Sequence, residues 1–98
     1  MTYGIDAPAD KAMMFADITK KMAEVYAAKN HDYGNAFGKS VEEFGLVAAA
    51  VRMNDKMERI KSLVKGQESN RCVKDETLED TLLDLANYAV MTLVELKI

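Results

Sequence analysis

Apolar residues recur along this chain at helical spacing. Between Asp10 and Lys29, the residues Phe15, Ile18, Met22, Val25 and Tyr26 are spaced by three, four, three and one, which lays one apolar face along a helix. Asp6 followed by Ala7 and Pro8 suits its start, because an aspartate oxygen accepts from free N–H groups and proline is tolerated in a first turn. The pattern breaks at KNHDYGNAFGK, residues 29–39, where two glycines, two asparagines and an aspartate favour turns, so a loop is expected there. Ser40 and Glu43 form an SxxE capping box, in which each side chain satisfies a backbone donor, and place the start of a second helix near Ser40. At about 100° per residue, one stripe of that helix holds Phe44, Val47, Ala48 and Val51, and the opposite stripe holds Leu46, Ala49, Met53, Met57, Ile60 and Val64. A helix apolar on two faces is expected at the centre of a bundle or at a subunit interface.

Residues 65–75, KGQESNRCVKD, are polar and aperiodic and read as a connecting loop. A third helix is expected from about Glu76 to Leu96, capped by Asp75 or Thr77, with a stripe of Leu78, Leu82, Leu85, Ala89, Leu93 and Leu96. There is no internal repeat, low-complexity tract or alternating strand pattern. The expected architecture is all-α: one domain over residues 1–98, an antiparallel bundle of three main helices completed by oligomerisation.

Composition narrows the function classes. A 98-residue chain buries only about 65% of its unfolded surface, so its core is thin and a partner subunit would help it. The chain is 49% hydrophobic and 30% charged, as in folded soluble proteins, and no apolar run reaches the roughly 18 residues that a membrane span needs. The N-terminal MTYGIDAPAD carries acid and no basic head, which is unlike a secretory signal and points to the cytoplasm. Cys72 is the single cysteine, which excludes an internal disulfide and a cysteine-built zinc site. A net charge of −3 argues against a nucleic-acid platform and leaves open small anionic ligands bound through a metal.

The acids of the last two helices carry the candidate chemistry. Glu76, Asp80, Asp84 and Asn87 fall within a wedge of roughly 80° that turns apolar further along, at Met91 and Val94. On the second helix the stripe of Phe44, Val47 and Val51 runs on into Asp55 and Glu58. Two helices thus each present paired carboxylates, DxxE at Asp55 and Glu58 and DxxxD at Asp80 and Asp84, while Glu79 and Glu95 point elsewhere. If the helices are antiparallel the pairs can meet, and four carboxylates in partial burial repel one another unless a cation neutralises them. Mg²⁺ suits such oxygen ligands and keeps positions open for phosphates; with His31 the single histidine, zinc does not fit. The plainer alternative is a set of solvated acids, Asp80 answering the helix dipole and Glu58 pairing with Lys61 or Ser62.

The blocks KNHDYGNAF, VRMNDKMERIKSL and DETLEDTLLDLANYA, in that order, resemble the nucleotide-modification-associated domain family. That family is frequent in phages and related to the MazG-like all-α NTP pyrophosphohydrolases. The resemblance covers about Lys29 to Met91. It implies a helical, oligomeric protein, a homodimer or larger, in the host cytoplasm if phage-encoded, that binds a nucleoside triphosphate through Mg²⁺ and cleaves it to monophosphate and pyrophosphate. Under that reading Asp55, Glu58, Asp80 and Asp84 hold the metal, and Glu58 also orients the attacking water as the catalytic residue. Lys29, Lys56 and Arg59 hold outer phosphates, Tyr33 stacks on a base read by Asn30 and Asn35, and Asn87 contacts ribose or a metal water. The sequence departs from the MazG-like ExxE and ExxD pair: the first motif is DxxE, and Thr81 stands where the glutamate before Asp84 belongs. Two other readings stay open, a noncatalytic nucleotide-binding or sequestering protein and a small helical interaction module using Met13, Met14, Met22, Met53 and Met57.

Overall fold

The computed structural model describes residues 7–33, 35–69 and 77–97, which form helices and no strand. Helix α1 spans Ala7–Tyr33, α2 Ala36–Phe44, α3 Leu46–Ser69 and α4 Leu78–Lys97. Among the described residues no helix is long and apolar enough to cross a membrane. The chain divides into two compact units, Met1–Gly34 and Asn35–Ile98.

The first unit contains α1, 27 residues or about 40 Å of helix. Pro8 lies in its first turn, where the missing N–H costs nothing. The helix runs further than the sequence pattern suggests. Lys29 to Tyr33, expected to open a loop, continue it; none is glycine or proline, and penalties of at most about 0.7 kcal/mol per residue do not stop a helix already nucleated.

In the second unit, the helix expected to begin near Ser40 begins at Ala36 and is broken at Gly45. Asn35 precedes α2 with φ 60° and ψ 45°, the left-handed conformation that asparagine tolerates better than most residues. Ser40 therefore sits inside α2 instead of capping it. Gly45 adopts φ 80° and ψ −172°, a region essentially reserved for glycine. Its N–H donates to the Val41 carbonyl at 2.7 Å and its carbonyl accepts from the Ala48 N–H at 3.0 Å, so one residue both closes α2 and opens α3.

Helix α3 extends to Ser69, so residues 65–69 are helical and not loop. The expected loop's remainder, with Cys72 and the candidate cap Asp75, lies outside the described residues, as does Asp6. Thr77 caps α4: its Oγ1 accepts from the Asp80 N–H at 3.0 Å.

Helices α3 and α4 pack along a narrow seam. On α3 the inward residues are Ala49, Met53, Lys56, Ile60 and Leu63, spaced four, three, four, three as in a coiled coil. On α4 they are Leu78, Thr81, Leu85, Tyr88, Thr92 and Glu95. Arg52 meets Tyr88 and Lys56 meets Asp84, so sequence rises on one helix as it falls on the other and the two pair antiparallel. Thr81 is fully buried, and its hydroxyl donates to the Thr77 carbonyl at 2.9 Å. Helix α2 closes one end: the Phe37 and Tyr88 rings lie 5.6 Å apart. At buried Gly38 a Cβ would fall 2.9 Å from the Glu95 carboxylate and under that from the Asn35 amide, so a larger residue there would require these two side-chain ends to move aside. Glu95 thus packs over α2, where the sequence pattern pointed it elsewhere.

Most of the apolar stripes expected to be core are exposed in the single chain. Val47 and Val51 are 66% and 55% exposed, and Leu82, Leu93 and Leu96 are 48%, 55% and 60% exposed. Within this unit α3 has α4 alone along most of its length, so it buries one stripe and leaves the other open.

Candidate functional site

The polar groups of the α3–α4 seam form the candidate site. Arg52, Lys56 and Arg59 recur at i, i+4 and i+7 and occupy one edge of α3. Opposite them α4 presents Asp84 and Tyr88, also four apart. Lys56 Nζ lies 3.2 Å from Asp84 Oδ2, with the lysine side chain 24% exposed and the aspartate 46%. The Arg52 guanidinium carbon is 6.0 Å from the Tyr88 ring centroid, and its Nη1 donates a long hydrogen bond of 3.5 Å to the tyrosine hydroxyl. Lys56 occupies a seam position that an apolar residue would fill, and removing an ammonium from water is costly without a partner. Asp84 supplies one. The pair is a half-exposed contact between α3 and α4.

The four acids expected to share a metal do not gather in the chain. Among the described residues no group of three or more His, Cys, Asp or Glu is arranged to hold a metal ion. The reason is rotational. The stripe that runs into Asp55 and Glu58 is the exposed one, so Asp55 falls about 120° and Glu58 about 180° round α3 from the seam. Both are exposed, and Glu58 Oε2 accepts from Lys61 Nζ at 3.3 Å, the plain helix-surface pairing. Asp80 is exposed in the first turn of α4, where the helix dipole favours an acid. Asp84 alone of the four is half-buried against α3.

The expected nucleotide ligands are distributed likewise. Lys56 is in the seam, Arg59 is exposed on its edge, and Asn87 is half-buried on α4, three residues beyond Asp84. Asn35 does conformational work before α2, and its amide lies over Gly38. Lys29 is exposed and Asn30 half-buried on α1, and Tyr33 ends that helix; they belong to the first unit and lie on a helix, not on the loop expected of them.

Arg52 and Tyr88 were not singled out from the sequence. The available signal was their spacing: Arg52 and Lys56 on one helix, and Asp84 and Tyr88 on the other, both interrupt apolar runs at four-residue intervals. Thr81, the departure from the MazG-like motif, is the most buried residue of α4, so a glutamate there would enter the α3 interface.

Comparison with curated proteins and with solved structures finds no match. Comparison with protein families finds one, over residues 29–96, which includes α2, α3, α4 and the last turn of α1. That span exceeds half of the chain, so this protein belongs to the family described as Nucleotide modification associated domain 1.

Proposed function

We propose that this chain binds a nucleoside triphosphate or a related nucleotide, with its phosphates held by the cationic edge of the α3–α4 seam. The observation that carries this reading is Lys56 in the seam, flanked on the same edge by Arg52 and Arg59. Three cations at i, i+4 and i+7 offer an ammonium and two planar guanidiniums to successive phosphate oxygens. An incoming phosphate competes with the Asp84 carboxylate for Lys56, so the ammonium keeps an anionic partner when the nucleotide is bound. The family description, which concerns nucleotide modification, supports the choice of ligand.

Magnesium does not fit the residues of the single chain, because Asp55 and Glu58 face away from Asp84 and no three acids form a group among the described residues. No step through a metal is assigned. Mg²⁺-dependent cleavage to monophosphate and pyrophosphate, implied by likeness to the MazG-like enzymes, is the second reading. Half-buried Asp84 favours it, being the acid of the matching motif and lying beside the proposed phosphate cations. That reading requires oxygen ligands beyond those grouped among the described residues.

One experiment separates the two. A panel of natural and modified triphosphates is titrated against the protein with and without Mg²⁺, while monophosphate and pyrophosphate are followed. Binding without Mg²⁺ or turnover, weakened by Lys56→Met and kept by Asp84→Asn, supports the seam site. Mg²⁺-dependent turnover lost in Asp84→Asn selects the hydrolase. Absence of binding for the whole panel overturns both.

A further inference from the structure

The cationic edge proposed to hold the phosphates ends at an aromatic side chain. Arg52, at one end of that edge, stands with its guanidinium carbon 6.0 Å from the Tyr88 ring centroid, and its Nη1 reaches the tyrosine hydroxyl at 3.5 Å. Cations account for the phosphates of a nucleotide and leave its base to be placed. A nucleobase is a flat ring that stacks on aromatic side chains. Among the described residues of the second unit the aromatic side chains are Phe37, Phe44 and Tyr88, and of these Tyr88 is the one in contact with the cationic edge. Tyr33 belongs to the first unit. At the opposite end of the edge, beyond Arg59, the seam residues are Leu63 of α3 and Leu78 and Thr81 of α4, which offer no π face.

Resting on the nucleotide reading above, we propose that Tyr88 is the base platform of the site: the nucleobase stacks on the Tyr88 ring beside Phe37, and the phosphates run from Arg52 past Lys56 toward Arg59. Tyr88 is half-buried, so the fold holds its ring in place while part of it reaches the surface. Phe37 does not close that ring off. The two centroids are 5.6 Å apart and the planes are inclined at 42°, so the rings adjoin as walls of a corner and are not stacked face to face. Arg52 is exposed, and its bond to the phenol is long. A phosphate offers the guanidinium two short, charge-paired bonds in place of one long bond to a neutral hydroxyl. It therefore draws Arg52 off the tyrosine as the base arrives. Phosphate binding thereby uncovers the surface that the base uses, and each half of the ligand favours the other. From residue 52 to residue 59 the edge extends about 10 Å along α3, so phosphates further from the base meet successive cations. Stacking reads a π face and not a base edge. The platform accordingly separates nucleotides from phosphorylated compounds that carry no ring, more than it separates one base from another.

The test uses the full chain, titrated calorimetrically with the common nucleoside triphosphates and with inorganic tripolyphosphate, each with and without Mg²⁺. The nucleotides are expected to bind about 5- to 100-fold more tightly than tripolyphosphate. Tyr88→Leu is expected to bring nucleotide affinity down to that of tripolyphosphate, whose own affinity is unchanged, and Tyr88→Phe, which keeps the ring, to retain most of the preference. In the wild type, nuclear Overhauser contacts are expected between base protons and the Tyr88 ring, assigned by the tyrosine resonances that disappear in Tyr88→Phe. Equal binding of nucleotides and tripolyphosphate overturns the platform and leaves the cationic edge standing. A preference that survives Tyr88→Leu also overturns it, because the base then sits elsewhere. Failure of nucleotides and tripolyphosphate alike to bind overturns the seam reading itself, and the platform with it. If Tyr88→Leu loses its helical circular dichroism, the Overhauser contacts decide: base contacts to Tyr88 uphold the platform, and their absence or their appearance at Tyr26 or Tyr33 instead refutes it.

Discussion

Replacing Gly45 with alanine isolates the contribution of one backbone conformation. The new Cβ would meet nothing within 4 Å, so packing is not disturbed and the whole effect is torsional. At φ 80° and ψ −172° an L-residue carries strain of about 1–3 kcal/mol. Alanine also narrows the unfolded ensemble, which returns about 0.4–1 kcal/mol. The expected net loss is therefore about 1–2 kcal/mol, or about 5–15 °C in the melting midpoint of a domain this size. Urea titration followed by circular dichroism reads it as a lower midpoint at unchanged slope. D-Alanine at the same position, introduced by semisynthesis, reverses the sign: its mirror-image preference matches the observed angles, so stability should equal or exceed that of the wild type. If the L-alanine variant relaxes by fusing α2 and α3 into one helix, helix content rises and Phe37 leaves Tyr88, which alters the near-ultraviolet tyrosine signal. An L-alanine variant with wild-type stability and wild-type spectra would refute the assignment of a required break at residue 45.

The other expectations are shorter. Thr77→Ala removes the acceptor for the Asp80 N–H and should cost about 1 kcal/mol, read by urea titration. Lys56→Met should weaken triphosphate binding at least tenfold in calorimetry while changing stability by less than about 1 kcal/mol, since the lost pair is half-exposed. Asp84→Asn should leave Mg²⁺-free binding equal or tighter, because it removes the competitor for Lys56; a loss of that binding would contradict the seam site. Raising salt from 0.05 to about 0.5 M should weaken binding progressively, as expected for exposed guanidiniums contacting phosphate.

Helix existence was legible from periodicity because three-and-four spacing survives wherever a face meets any neighbour. Helix ends were less so. Nothing in KNHDY forbids a helix, so α1 runs to Tyr33 through an asparagine and an aspartate that merely permit a turn, while Asn35 takes the left-handed conformation before α2 and Gly45 breaks the helix again. The latter was hidden by Phe44 and Leu46 on either side, which continue the apolar pattern across it. The acids show the deeper difficulty. Periodicity tells that Phe44, Val47, Val51, Asp55 and Glu58 share a stripe, but not which stripe faces α4. Choosing that face rotates Asp55 and Glu58 out of the site and brings Arg52 and Lys56 in. Asp84 and Lys56 were legible as candidates; their pairing was not, because an interhelical contact is fixed by register and a single sequence does not display register.

Tyr88 links three elements through one side chain, its ring meeting Phe37 of α2 and its hydroxyl Arg52 of α3. A ligand that draws Arg52 off the phenol hydroxyl therefore alters the anchorage of α2 without touching it. Amide exchange at Lys39 to Phe44 should register occupancy of the cationic edge through the tyrosine ring, giving a remote isotopic gauge in a chain that has no tryptophan.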